Sequence, residues 1–108
     1  MRAARKLLWW LLVGSAGGLN RARILNELTK TPRNANELTN LLNLDYKTTR
    51  YHLNILEKNH LITTVGNRYG VVYFPSELVE ENMRFFKEIW DKIGRNEINK
   101  KYDNGEEK

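Results

Sequence analysis

Between residues 19 and 58 apolar positions recur at helical spacing in three short runs. Ala22, Leu25 and Leu28 form the first stripe, with Asn20 expected as its N-cap and Leu19 and Ile24 as a hydrophobic staple; Pro32 closes the run. "NANE" opens the second, where Asn34 as N-cap and Glu37 three residues on make a capping-box variant, and Leu38, Leu41 and Leu42 are expected to face inward. "NLD" then reads as a tight turn in which Leu44 plugs the core and Asp45 caps the next helix. In that third run, "YKTTRYHLNILEK", Thr49, Leu53 and Leu56 fall on one face. From 61 to 65 and again from 71 to 74, β-branched and aromatic residues dominate, with "GNRYG" between them, so a β-hairpin is expected. Ser76 should cap a last helix whose apolar stripe includes Val79, Met83, Phe86, Trp90 and Ile93, widened by Leu78, Phe85 and Ile89.

The start of the chain has another rhythm. "MRAARKLLWWLLVGSAGG" joins a basic beginning to an apolar run over 7–13 and a small-residue turn, the outline of a secretory signal. The run falls far below the roughly 20 apolar residues that span a bilayer, and its apolar positions go all round the helix instead of forming one membrane-facing side. A buried helix packed between the domain and a second copy of it is the preferred reading, and membrane contact the lesser one.

A chain of 108 residues with 41% hydrophobic and 29% charged positions suits one small core and is too short for two ordinary domains. The net charge of +5 is unevenly spread: 11 basic against 4 acidic residues up to Pro75, a balance of +7, and 7 against 9 beyond it, a balance of −2. A polyanionic partner is therefore expected for the front part and a different task for the rest. On the third helix Lys47, Arg50, Tyr51, Asn54 and Lys58 form a second face, and the only acid of that helix, Glu57, lies off it. Glu77, Glu80 and Glu81 in the first turns of the last helix favour its dipole.

Other chemistry is thin. The absence of cysteine excludes disulfides, thiol chemistry and Cys-based zinc sites, and suits a reducing, cytoplasmic setting. His52 and His60 have no metal-binding spacing, so no metal or cofactor is expected; phosphate anchoring is the better functional reading of His52. Ser15 and Ser76 are the only serines, both at expected helix boundaries and without a histidine nearby in sequence. No P-loop or Rossmann glycine pattern follows a strand, and an enzyme is not expected.

Three helices, a short turn and a hairpin with a basic tip together make a winged helix-turn-helix pattern. Through "NANELTNLLNLDYKTTRYHLNILEKNHLI" and the hairpin ending "VVYF", the chain resembles the ArsR-type winged-helix transcription regulators, archaeal members especially, over about residues 19–74. The resemblance implies a mainly α fold with a small β-hairpin and flanking dimerisation helices. It also implies DNA contacts by Tyr46, Lys47, Arg50, Tyr51 and Asn54 on the recognition helix and by Arg68 at the wing tip. The metal sensors of that family use a cysteine pair that this chain lacks, so metal-responsive release is not expected. Many relatives carry glycine after the recognition helix; here Asn59-His60 stands there, so one of the two is expected in a left-handed conformation.

The expected organisation is an N-terminal apolar helix and turn over 1–18, a winged helix-turn-helix DNA-binding domain over 19–75, a dimerisation helix over 76–98 and a polar tail over 99–108. Trp9, Trp10 and Leu11 from the first helix and Met83, Phe86, Trp90 and Ile93 from the last are expected at a homodimer interface. The function expected is sequence-specific binding of double-stranded DNA by a homodimeric transcriptional regulator. A winged-helix protein-interaction module is the alternative.

Overall fold

The structure, a computed structural model, describes residues 2–67 and 69–106. Its elements are α1 (Arg2–Trp9), a π-helical turn (Trp10–Gly14), α2 (Gly18–Lys30), α3 (Ala35–Leu42), α4 (Tyr46–Lys58), β1 (Ile62–Asn67), β2 (Gly70–Pro75), α5 (Glu77–Glu81) and α6 (Met83–Glu106). The two strands pair antiparallel, from Ile62 opposite Pro75 to Asn67 opposite Gly70. One core draws on every part: Leu8, Leu11 and Leu12 at the start, Leu25, Leu38, Leu53 and Leu56 from the three central helices, Tyr73 from the hairpin, and Phe86 and Ile89 from α6.

Local cap chemistry sets most of the helix boundaries. Asn34 Oδ1 accepts from the Glu37 amide at 2.8 Å while Glu37 Oε1 accepts from the Asn34 amide at 2.9 Å, so two orphan donors of α3 are satisfied reciprocally. Asn43 then takes a left-handed conformation (φ 54), which ends α3 and swings the chain into α4 within the tight turn. The Asp45 carboxylate accepts from the amides of Lys47 and Thr48, and Ser76 Oγ accepts from the Val79 amide.

Several expectations need correction. Helix α2 begins at Gly18 behind a left-handed Gly17 (φ 83), so Asn20 lies inside its first turn and Leu19, exposed, forms no staple. A Cβ at Gly18 would lie 2.5 Å from the Leu12 carbonyl oxygen, and only glycine permits this approach of α2 to the π turn. Leu41 points to solvent; Leu38 and Leu42, with Ala35, carry the buried face of α3. The last helix is two helices: the Asn82 side chain donates to the Leu78 carbonyl at 2.8 Å and interrupts the run between α5 and α6. Beyond it α6 continues to Glu106, through the segment expected to be a tail.

His60 has φ 61, the left-handed conformation expected after the recognition helix. A residue with a Cβ is strained there by about 1 kcal/mol, and glycine is not. His60→Gly should therefore be neutral or stabilising by up to about 1 kcal/mol, offset in part by unfolded-state entropy. A clear drop in melting temperature would contradict this.

Candidate nucleic-acid interface

Helix α4 carries the candidate interface because its two faces differ in kind. Thr49, His52, Leu53 and Leu56 are buried, and the Thr49 and Thr39 hydroxyls meet at 2.9 Å across the turn between α3 and α4. On the opposite side Tyr46, Lys47, Tyr51, Asn54 and Lys58 are exposed together, Tyr51 to 60%. A single helix thus packs on one side and offers long polar and cationic groups on the other.

Arg50 differs from the rest of the stripe. At the pitch of an α-helix it borders the buried Leu53 row, and its side chain turns toward the hairpin, where Nη1 donates to the Tyr73 hydroxyl at 2.7 Å. Tyr73 is 4% exposed, and its backbone pairs with Arg33 ahead of α3, donating at 2.8 Å and accepting at 3.4 Å. A cleft of ≈ 290 Å³ lies between α4, the start of α3 and the hairpin, lined by Asn36, Tyr46, Arg50, Tyr69 and Tyr73 among others. Arg68, expected at the wing tip, lies outside the described residues.

Behind α4 lies a polar cluster that the sequence pattern does not reveal. Arg21, 3% exposed, donates from Nε to the Leu11 carbonyl at 2.9 Å, and from Nη2 to Ser15 Oγ at 2.6 Å and the Ala16 carbonyl at 3.0 Å. Its Nη1 lies 3.3 Å from His52 Nδ1. A guanidinium can only donate, so Nδ1 is the acceptor and His52 is neutral with its proton on Nε2. Ser15 Oγ in turn donates to the Trp10 carbonyl at 2.8 Å, and so Ser15 and Arg21 satisfy carbonyls of the π turn. The cluster joins the N-terminal segment to the back of α4. It also corrects the reading of His52 as a phosphate anchor: the residue is 5% exposed and engaged inside the protein.

Burial first, and the adjacent Arg21 charge second, hold the His52 pKa below its ordinary value. In the unfolded chain the imidazole takes a proton near pH 6.5, whereas in the fold it resists protonation to a lower pH. The unfolded state therefore binds more protons below that point, and stability is fully present above about pH 6.5 and falls as pH drops toward the folded-state value. Urea denaturation from about pH 8 to about pH 5 should show this loss, and His52→Gln, which keeps an acceptor for Arg21 but does not titrate, should reduce it. Equal pH dependence in both proteins would rule out His52 as its source.

The surface expected to dimerise is partly redrawn. Leu11 and Phe86 are buried in the protomer's own core, at 5% and 1% exposure, and are not available to a second copy. Trp9 and Trp10 are exposed, at 42% and 60%, while Met83, Trp90 and Ile93 are partly buried against the core. The Lys92 ammonium lies 5.6 Å from the centre of the Trp9 ring, beside an open cleft of ≈ 320 Å³ between α1 and α6. Among the described residues no helix is long and apolar enough to cross a membrane.

Comparison with known proteins agrees with this architecture. Residues 20–65 match a family model described as a helix-turn-helix domain. Among solved structures the chain is similar to the transcriptional regulator HlyU of Vibrio vulnificus, with 23% identity and a TM-score of 0.63 over 83% of this chain and 88% of that one. It is similar also to the transcriptional regulator BldR of Sulfolobus solfataricus, with 14% identity and a TM-score of 0.66 over 91% and 73% of the two chains. The antimony-specific transcriptional repressor AntR aligns with a TM-score of 0.69 at 13% identity, over 89% and 82%. No curated protein matches the chain in sequence. The fold is a winged helix-turn-helix, with α3 and α4 as the helix pair and the β1–β2 hairpin as the wing.

Proposed function

We propose that this protein is a transcriptional regulator that binds double-stranded DNA as a homodimer, with α4 in the major groove and the wing on the flanking backbone or minor groove. The observation that carries the reading is the division of α4, whose exposed face presents Tyr46, Lys47, Tyr51 and Asn54 while its back is locked into the core. A helix entering the major groove needs such a pair of faces. Asn54 suits adenine, Arg50 suits guanine, and Lys47 and Arg68 suit phosphates. The solved structures it resembles include proteins described as transcriptional regulators, which supports the same reading.

The exposed indoles support dimerisation. Trp9 and Trp10 are exposed and Trp90 and Ile93 only partly buried, which leaves apolar surface that a two-fold partner would cover, pairing two recognition helices. Selection of bound sites from random duplex DNA tests both parts together. Enrichment of two inverted half-sites, spaced by about one helical turn, is the expected result. Recovery of unselected sequence, or of a lone half-site, would contradict specificity or dimeric binding respectively.

A further inference from the structure

We propose that Tyr73 is the positioning residue of the interface: its hydroxyl presets the Arg50 guanidinium, and thereby sets sequence discrimination by a side chain that never touches DNA. The inference rests on the DNA-binding reading above.

Arginine is long and rotamer-rich, and a free one must be immobilised at the moment of binding. Arg50 is already held, with Nη1 donating to the Tyr73 hydroxyl at 2.7 Å. The anchor itself does not move freely. Tyr73 is buried in the core, its strand position is opposite Thr64, and both its backbone groups bond to Arg33. A phenol can accept one N–H and keep its own proton, so the bond uses one guanidinium hydrogen and leaves the other donors for a base edge or a phosphate. The cleft between α4 and the hairpin is where they are available, with the exposed Tyr46 and Tyr69 at its sides. The same bond ties the recognition helix to the wing, so that Arg50 is oriented by the element that flanks the groove it would enter. Preorganisation of this kind improves discrimination between a correct and an incorrect base more than it improves general affinity, because the phosphate contacts are made elsewhere.

A double-mutant cycle tests the assignment on the full chain. Wild type, Tyr73→Phe, Arg50→Ala and the double variant are titrated with the selected duplex and with a scrambled one, at several salt concentrations and at a temperature where circular dichroism shows each folded. Tyr73→Phe keeps the core ring and removes the acceptor. The ratio of affinities for selected over scrambled DNA should fall about three- to tenfold per half-site, the range of one side-chain hydrogen bond, while scrambled-DNA affinity and the salt slope stay as in wild type. In the Arg50→Ala background Tyr73→Phe should have no further effect on that ratio. An unchanged ratio in Tyr73→Phe, or an equal loss with and without Arg50, would overturn the positioning role while leaving DNA binding intact. Wild-type protein with no salt-dependent duplex binding would instead remove the DNA-binding reading and this one with it.

Discussion

Arg21→Met should destabilise the protein by about 2 to 4 kcal/mol, the cost of leaving two buried and two partly buried acceptors without a donor. The Leu11 and Ala16 carbonyls, Ser15 Oγ and His52 Nδ1 all face this one guanidinium, and methionine fills much of its volume without donating to any of them. In a chain of 108 residues the melting temperature should fall by roughly 10 °C or more. Arg21→Lys should recover little of it, because one ammonium cannot reach acceptors that a planar fork spans. Thermal and urea denaturation of the two variants measure this. A destabilisation below about 1 kcal/mol in Arg21→Met would mean that relief of the buried charge outweighs the missing hydrogen bonds, and that the cluster does not hold the N-terminal segment to α4.

The second large effect concerns recognition. Arg50→Ala should cost about 1 to 3 kcal/mol per half-site on the selected duplex and much less on random DNA, the result expected if the guanidinium meets a base edge rather than a phosphate. Lys47→Ala, exposed at the start of α4, should weaken all duplexes by similar factors. Equal weakening on both kinds of DNA in Arg50→Ala would reassign Arg50 to the phosphate backbone. Competition titrations at one fixed salt concentration separate the two outcomes.

What can be read from the sequence divides by the range of the chemistry involved. The Asn34–Glu37 capping box, the Asp45 and Ser76 caps and the Leu53–Leu56 face are local, settled by residues within one helical turn, and each is legible in the sequence. The hairpin belongs with them, whereas the left-handed conformation after α4 is implied only by the resemblance to ArsR-type regulators, which leaves Asn59 and His60 open; it falls on His60. Arg21 shows where local reasoning stops: its helical spacing to Leu25 and Leu28 places it on the buried face, yet its partner His52 is 31 residues away, and a stripe of apolar letters hides a buried cation. The Arg50–Tyr73 bond spans 23 residues and two element types, and the apolar run "VVYF" says neither which residue turns inward nor what the Tyr73 hydroxyl meets. The π turn is hidden for a related reason. Its carbonyls are satisfied by Ser15 and Arg21, so tertiary contacts, and no pattern in "WLLVG", decide the local geometry.

Two of the residues expected at a dimer interface, Leu11 and Phe86, lie in the protomer's own core. An apolar excess on α1 and α6 is legible, but composition alone cannot divide it between the protomer's own core and a partner. Leu11 and Phe86 go to the core because α1 and the π turn pack directly on α2 and α6, which leaves the two indoles outside.

The most direct test of DNA binding through α4 and the wing is the dependence of duplex affinity on salt, compared between wild type and the triple variant Lys47→Ala, Arg50→Ala, Arg68→Ala. Each phosphate that a cation neutralises releases counterions, so wild-type log affinity should fall steeply with log salt, and removing one such cation from each subunit of a dimer should flatten that slope by about 2 units. A wild-type slope steeper than that of the triple variant by at least this amount is the predicted result. A wild-type slope no steeper than the triple variant's would mean that the stripe on α4 does not face DNA.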